Sequence, residues 1–119
     1  MAVLPYPTNT NLATAQAGTG DSTNTLQRPY EAYRQQILRV TTNAGTTITF
    51  TIKGSVDGTT FFNLPYSVMS VAPNGYSAAA ITTTTAKTEL YAIMPGQAWN
   101  FIKTNVSANT GMTPTTDLL

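Results

Sequence analysis

The sequence predicts an all-β fold: a single antiparallel β-sandwich or jelly-roll-like barrel of about six to eight short strands, with extended N- and C-terminal arms. Three observations point that way. Charged residues make up only 9% of the chain. Threonine takes their place at roughly one residue in five, and a β-branched polar side chain suits the outer face of a pleated sheet. The stretch TTITFTIKGSVDGTTFFNLP, residues 46–65, alternates Ile48, Phe50 and Ile52 with Thr47, Thr49, Thr51 and Lys53, then meets Asp57-Gly58 and turns apolar again. Similar turn signals recur along the rest of the chain.

Residues 1–25 read as an extended N-terminal arm. Pro5 and Pro7 favour extended backbone, Gly18 to Asp21 form a turn signal, and apolar content is thin. The β domain then spans residues 26–106. Within it, residues 31–39 hold good helix formers, with Glu31 three residues before Arg34. Pro29 just ahead and the β-branched run after it favour a strand over roughly 34–42 instead. Strands over 46–54 and 59–64 follow, joined as a tight hairpin by the positive φ angles that Asp57-Gly58 supplies. Gly54 marks a bulge or the close approach of another backbone. Residues 66–71 form another strand, and Pro73-Asn74-Gly75 a turn. Residues 87–95 alternate with apolar side chains on both faces, Pro95-Gly96 turns the chain, and a strand covers 98–106. Residues 107–119 read as a polar C-terminal tail. The expected core is Phe50, Ile52, Phe61, Leu64, Trp99 and Phe101.

Composition narrows the chemistry. The chain of 119 residues has no histidine and no cysteine. Nucleophilic arrangements of the serine–histidine and cysteine–histidine kinds are therefore excluded, as are zinc sites built from those ligands and disulfides. The carboxylates are Asp21, Glu31, Asp57, Glu89 and Asp117; only Glu31 and Glu89 stand as a possible acid–base pair, and their spacing gives it no support. No calcium-loop or phosphate-loop spacing occurs. The expectation is a non-enzymatic protein with no cofactor and no metal. The net charge of +1 comes with no basic stripe, so no nucleic-acid partner is expected. No cationic amphipathic helix, membrane span or signal peptide is legible, so no membrane partner is expected either. A near-neutral surface repels its neighbours weakly and suits dense assembly. A second use of the aromatics is a sugar-stacking platform of Tyr76, Tyr91 and Trp99, set against the ordinary role of strand aromatics in packing.

The segment TFTIKGSVDGTTFFNLP resembles a hairpin of small virion β-proteins of tailed bacteriophages, found in head decoration (cement) proteins and fibre-associated domains. The shared features are the alternating strand, Gly-Ser, the Asp-Gly turn, an aromatic residue and Leu-Pro. This chain carries Phe61-Phe62 where a tryptophan is often seen. The resemblance implies a capsid-stabilising protein on the virion exterior, made in the host cytoplasm. It implies the major capsid protein and the chain itself, as a homotrimer, for partners. A carbohydrate- or receptor-binding module of a fibre or tail is the alternative. On the first view, Leu4, Tyr6 and Leu12 anchor the N-terminal arm on a partner. Tyr30, Tyr33 and Arg34 are further candidates for subunit contacts, because aromatics and arginine are enriched in interface cores.

Overall fold

A computed structural model describes residues 11–27, 36–43, 45–70 and 75–119. Among these residues the protein is all-β, with no helix and eleven strands in two antiparallel sheets. The first sheet contains β1 (Asn11–Ala13), β4 (Gln36–Thr41), β7 (Tyr66–Val68), β9 (Thr88–Ile93) and β11 (Thr115–Leu118), in the order β1-β11-β4-β9-β7. The second is built on the long pair β5 (Thr47–Ser55) and β10 (Phe101–Thr110). Short strands flank that pair: β2 (Gly20–Asp21) and β3 (Leu26–Gln27) on β10, and β6 (Phe62–Asn63) and β8 (Ile81–Thr83) on β5.

The inner faces follow the alternation visible in the sequence. Ile48, Phe50 and Ile52 of β5 and Ile102, Thr104 and Val106 of β10 point inward and are buried, while the intervening residues lie on the outer face. They meet Leu12, Leu38, Val40, Tyr91, Ile93 and Leu118 of the first sheet. Phe50 packs edge-on against Tyr91 across the two layers, with ring centroids 6.0 Å apart, a geometry favoured by the ring quadrupoles. Every strand that flanks these long ladders is only two or three residues long, and short edges offer little template for unwanted strand pairing.

Several expectations need correction. Strands are more numerous than expected because the presumed arms are part of the sheets. Residues 11–25 supply β1 and β2, and Asn24 N–H donates to the Leu12 carbonyl at 2.9 Å. Residues 107–119 supply the end of β10 and the whole of β11, which lies between β1 and β4. Both segments are thin in apolar residues, but the ones that matter point inward: Leu12, Met112 and Leu118 are at most 1% exposed. The strand at 66–71 ends at Val68, and the strand at 98–106 starts at Phe101 and runs to Thr110. The segment 34–42 is β4 over Gln36–Thr41; its earlier residues lie outside the described residues.

The hairpin exists, but it is wider than an Asp-Gly turn. β5 and β6 pair through Lys53↔Asn63 and Gly54↔Phe62, leaving a loop over residues 56–61. Gly58 takes a positive φ of +81°, while Asp57 does not. The Asp57 side chain organises the loop instead: its Oδ1 accepts hydrogen bonds from the Ser55 hydroxyl at 2.9 Å and from the Thr59 and Thr60 backbone N–H groups at 2.8 Å each. The Gly58 N–H donates to Ser55 Oγ at 2.9 Å. This is aspartate's usual competence for closing turns with its own side chain. Gly54 serves a side chain and not a backbone or bulge, since a Cβ there would lie 2.9 Å from Leu64. The loop folds over the outer face of the second sheet, bringing Gly58 against the Phe101 ring. That explains why Phe61 and Phe101, expected in the core, are half-buried on the outside, whereas Phe50, Ile52, Leu64 and Trp99 are buried as expected.

Candidate interaction surfaces

The outer face of the second sheet carries the densest polar network. In the β5–β10 register, Lys53 stands directly opposite Lys103 and Thr51 opposite Asn105. Like charges facing each other across a ladder are unfavourable unless something compensates them. Lys103 is compensated: its Nζ donates to Asp21 Oδ2 at 2.9 Å and lies 4.0 Å from the centroid of the Phe61 ring. Asn105 Nδ2 donates to Asp21 Oδ1 at 2.7 Å. The bonds from Lys103 and Asn105 hold the Asp21 carboxyl below its ordinary value. Lys53 donates to Asn63 Oδ1 at 3.2 Å and adds a weaker attraction to the Asp21 carboxylate. The sequence alone puts Asp21 in an extended arm; the registers of β2 and β5 on β10 bring it beside Lys103 and Asn105. The alternation over residues 47–53 assigns Lys53 to the outer face, but Lys103, two residues after a Phe101 expected in the core, carries no such signal, and nothing in the sequence says that the two strands are neighbours.

At the end of this face lies the tip of the β5–β6 hairpin. Val56 is 55% exposed and Phe62 38% exposed, beside the half-buried Phe61. Asp57 is held down to about 2, chiefly by the Thr60 and Thr59 backbone N–H groups and then by the Ser55 hydroxyl. It therefore stays charged through almost the whole pH range in which the fold is of interest.

The first sheet offers a smaller feature. Met69, Ser70, Thr88, Glu89 and Leu90 line a shallow, open depression. Glu89 is already engaged there, accepting from Ser70 Oγ at 2.6 Å and pairing with Lys87 at 3.6 Å. Elsewhere on this sheet, Arg39 pairs with Asp117 at 3.1 Å, and Asn11 Nδ2 donates to the same carboxylate at 2.9 Å. Among the described residues, no three acidic side chains converge into a possible metal site.

The candidates named from sequence fall unevenly. Leu12 is fully buried in the protein's own core, so it cannot anchor an arm on a partner; β1 pairs with β11 and turns this side chain inward. Leu4, Tyr6, Tyr30, Tyr33, Arg34 and Glu31 lie outside the described residues. The platform of Tyr76, Tyr91 and Trp99 does not form. Trp99 and Tyr91 are 2% and 3% exposed, and only Tyr76 reaches the surface. A sheet register that turns Tyr91 inward toward Phe50 decides this, not the residue types.

Burial raises the Tyr91 phenol from its ordinary 10.0 to about 12, with the nearby Glu89 charge adding to the effect. A raised folded-state value means that the native protein holds this proton more tightly than the unfolded chain does. The corresponding stability is complete below the unfolded value and is lost as pH rises through the folded one. Urea midpoints should therefore fall as pH rises from about 10 to about 12, and those of Tyr91→Phe should fall less steeply over the same window. Equal slopes for the two proteins would show that another group sets the alkaline limit.

No family model, curated protein or solved structure matches this chain.

Proposed function

We propose that the protein is a structural component of a tailed-phage virion. It binds the outer surface of the head and stabilises the expanded shell by bridging major capsid protein subunits, and it acts as a self-associated assembly, a homotrimer. The observation that carries this reading is the hairpin of residues 46–65, whose resemblance to decoration proteins coincides with exposed apolar side chains at Val56 and Phe62. The setting is a surface of threonine and asparagine with few charges, and among the described residues three ion pairs neutralise most of them. Such a surface carries little long-range repulsion and is suited to close contact.

The physical basis is linkage. A protein that binds the expanded lattice and not the compact one shifts the shell toward expansion by its differential binding free energy, with no catalytic group required. Attachment of several copies at once raises occupancy without a large single interface. Leu4 and Tyr6 of the N-terminal segment are proposed contacts with the shell, and Tyr30, Tyr33 and Arg34 proposed subunit contacts.

The purified protein should co-sediment with expanded heads of its phage, should not do so with unexpanded ones, and should raise the temperature at which the expanded heads break open. Deletion of residues 1–10 should weaken that attachment. The deletion stops before Asn11, because β1 and Leu12 belong to the core. Equal partition onto both head forms, or onto neither, would overturn the proposal.

A further inference from the structure

An antiparallel sheet with one face on the core is expected to turn polar side chains outward on the other. The second sheet conforms: Thr47, Thr49, Thr51 and Lys53 of β5 and Lys103 and Asn105 of β10 lie on its outer face. The first sheet does not. Between the buried Leu38 and Val40 of β4, and Tyr91 and Ile93 of β9, the alternation turns Ile37, Leu90 and Ala92 away from the core, where they stand half-buried. The register sets Ile37 opposite Ala92. The Met69 N–H donates to the Leu90 carbonyl at 3.0 Å, and the Leu119 N–H to the Ile37 carbonyl at 2.8 Å, so both neighbouring strands continue the row. Met69 is 50% exposed and Leu119 55%. An apolar stripe therefore crosses the solvent side of this sheet from the end of β7, over β9 and β4, to the end of β11.

We infer that this face is the side applied to the shell, against an uncharged apolar surface of the major capsid protein; the inference rests on the capsid-binding role proposed above. The charges beside the stripe are already matched: Arg39 pairs with Asp117 at 3.1 Å, and Glu89 at its rim with Lys87 at 3.6 Å. A charged partner would find nothing there to pair with, whereas an apolar one gains by covering the stripe. Two observations favour the shell over a second free copy. With strands about 4.8 Å apart and residues about 3.4 Å apart along them, the stripe covers on the order of 200 Å², against about 800 Å² per partner in a stable pairwise complex. The contact therefore needs a second point of attachment, and the chain supplies one at the edge of the same face. Residues 1–10 lead into β1 at Asn11, whose Nδ2 donates to Asp117 on this face at 2.9 Å. β1 meets β11 through Ala13↔Thr116 and then Asn11↔Asp117, so the chain followed back toward its start leads to the Leu119 end of the stripe. Those ten residues carry no charged side chain, include Leu4 and Tyr6, and can reach up to about 33 Å. Face and segment can meet one partner together, and attachment at two points is tighter than at either alone.

Co-sedimentation with expanded heads tests this on the wild-type chain, Met69→Lys, the double variant Ile37→Thr with Leu90→Thr, and Thr49→Lys on the other sheet. Thermal melts establish that each variant folds. Threonine suits a strand, so the double variant loses apolar surface and not strand propensity. Met69→Lys and the double variant should each weaken attachment about tenfold or more, and Thr49→Lys should leave it unchanged. If both variants of the first sheet attach like the wild type, this face is not the shell side, although the capsid-binding role stands. A loss confined to Thr49→Lys would place the shell side on the second sheet. If sedimentation equilibrium shows that the same two variants abolish self-association of the free protein while attachment to heads is kept, the face is covered by a second copy and the inference is overturned. A wild type that does not attach to expanded heads overturns the inference and the role together. Should the double variant fail to fold, Met69→Lys decides alone.

Discussion

Removing residues 114–119 is expected to unfold the protein outright. The segment reads as a polar tail, yet it contains β11, which is an interior strand. Its register pairs Thr115, Thr116, Asp117 and Leu118 with Thr41, Val40, Arg39 and Leu38 on one side, and Thr116 and Asp117 with Ala13 and Asn11 on the other. Deleting it strips β1 of its neighbour and exposes the backbone of β4. Leu118 alone is 1% exposed, and truncating a buried leucine to alanine typically costs about 2–5 kcal/mol. Loss of the strand adds unpaired backbone groups on both neighbours and the cavity left between the sheets. A domain of this size is stable by only about 5–15 kcal/mol. The truncated chain should therefore lack a cooperative thermal transition, and its near-ultraviolet dichroism should collapse. A deletion product that melts cooperatively within a few degrees of the full chain would contradict the placement of β11.

That same strand shows where the sequence stopped being legible. The alternation in β5 is local: it puts Ile48, Phe50 and Ile52 on one face, and Phe50 and Ile52, expected in the core, are buried there. The pairing of β11 with β4 joins residues about 75 positions apart, and nothing within TTDL distinguishes a paired strand from a solvated tail. The arm at 11–25 failed for the same reason, because its single leucine acquires meaning only from Leu118 and Leu38 around it. Asp57-Gly58 was recognised as a turn, but the donors that fix its shape, Ser55, Thr59 and Thr60, are ordinary loop residues whose role appears only once the backbone closes. Similarly, Phe61 and Phe101 carry the same chemistry as Phe50. Which side of the sheet each occupies depended on a register that the wider loop altered. The candidate surface is legible in part: the hairpin stands out in the sequence, whereas the cluster of Asp21, Lys103 and Asn105 beside it follows only from the pairing of β2 with β10.

Trp99→Ala should produce the largest loss of stability of any single core truncation. Trp99 heads the largest fully buried side chains and is 2% exposed, although it sits in the connection after Pro95-Gly96 and not on a strand. Large-to-small changes at such sites cost about 3–5 kcal/mol, because the lost transfer free energy is joined by a cavity that the surroundings only partly fill. For a chain of this length that corresponds to a fall of about 10–25 °C in Tm. The indole adds an informative detail: its Nε1–H is buried without a hydrogen-bond acceptor among the described residues. An unsatisfied buried donor costs about 1–3 kcal/mol, so the native protein carries a penalty that a phenyl ring would not. Trp99→Phe should accordingly cost far less than Trp99→Ala, since relief of that penalty offsets part of the lost volume. Thermal melts of the two variants separate the contributions. If phenylalanine proves as damaging as alanine, the indole N–H contributes favourably and must have a partner in solution. If alanine is tolerated with little change in Tm, the ring is not the centre of the core, and a surface role for it becomes tenable again.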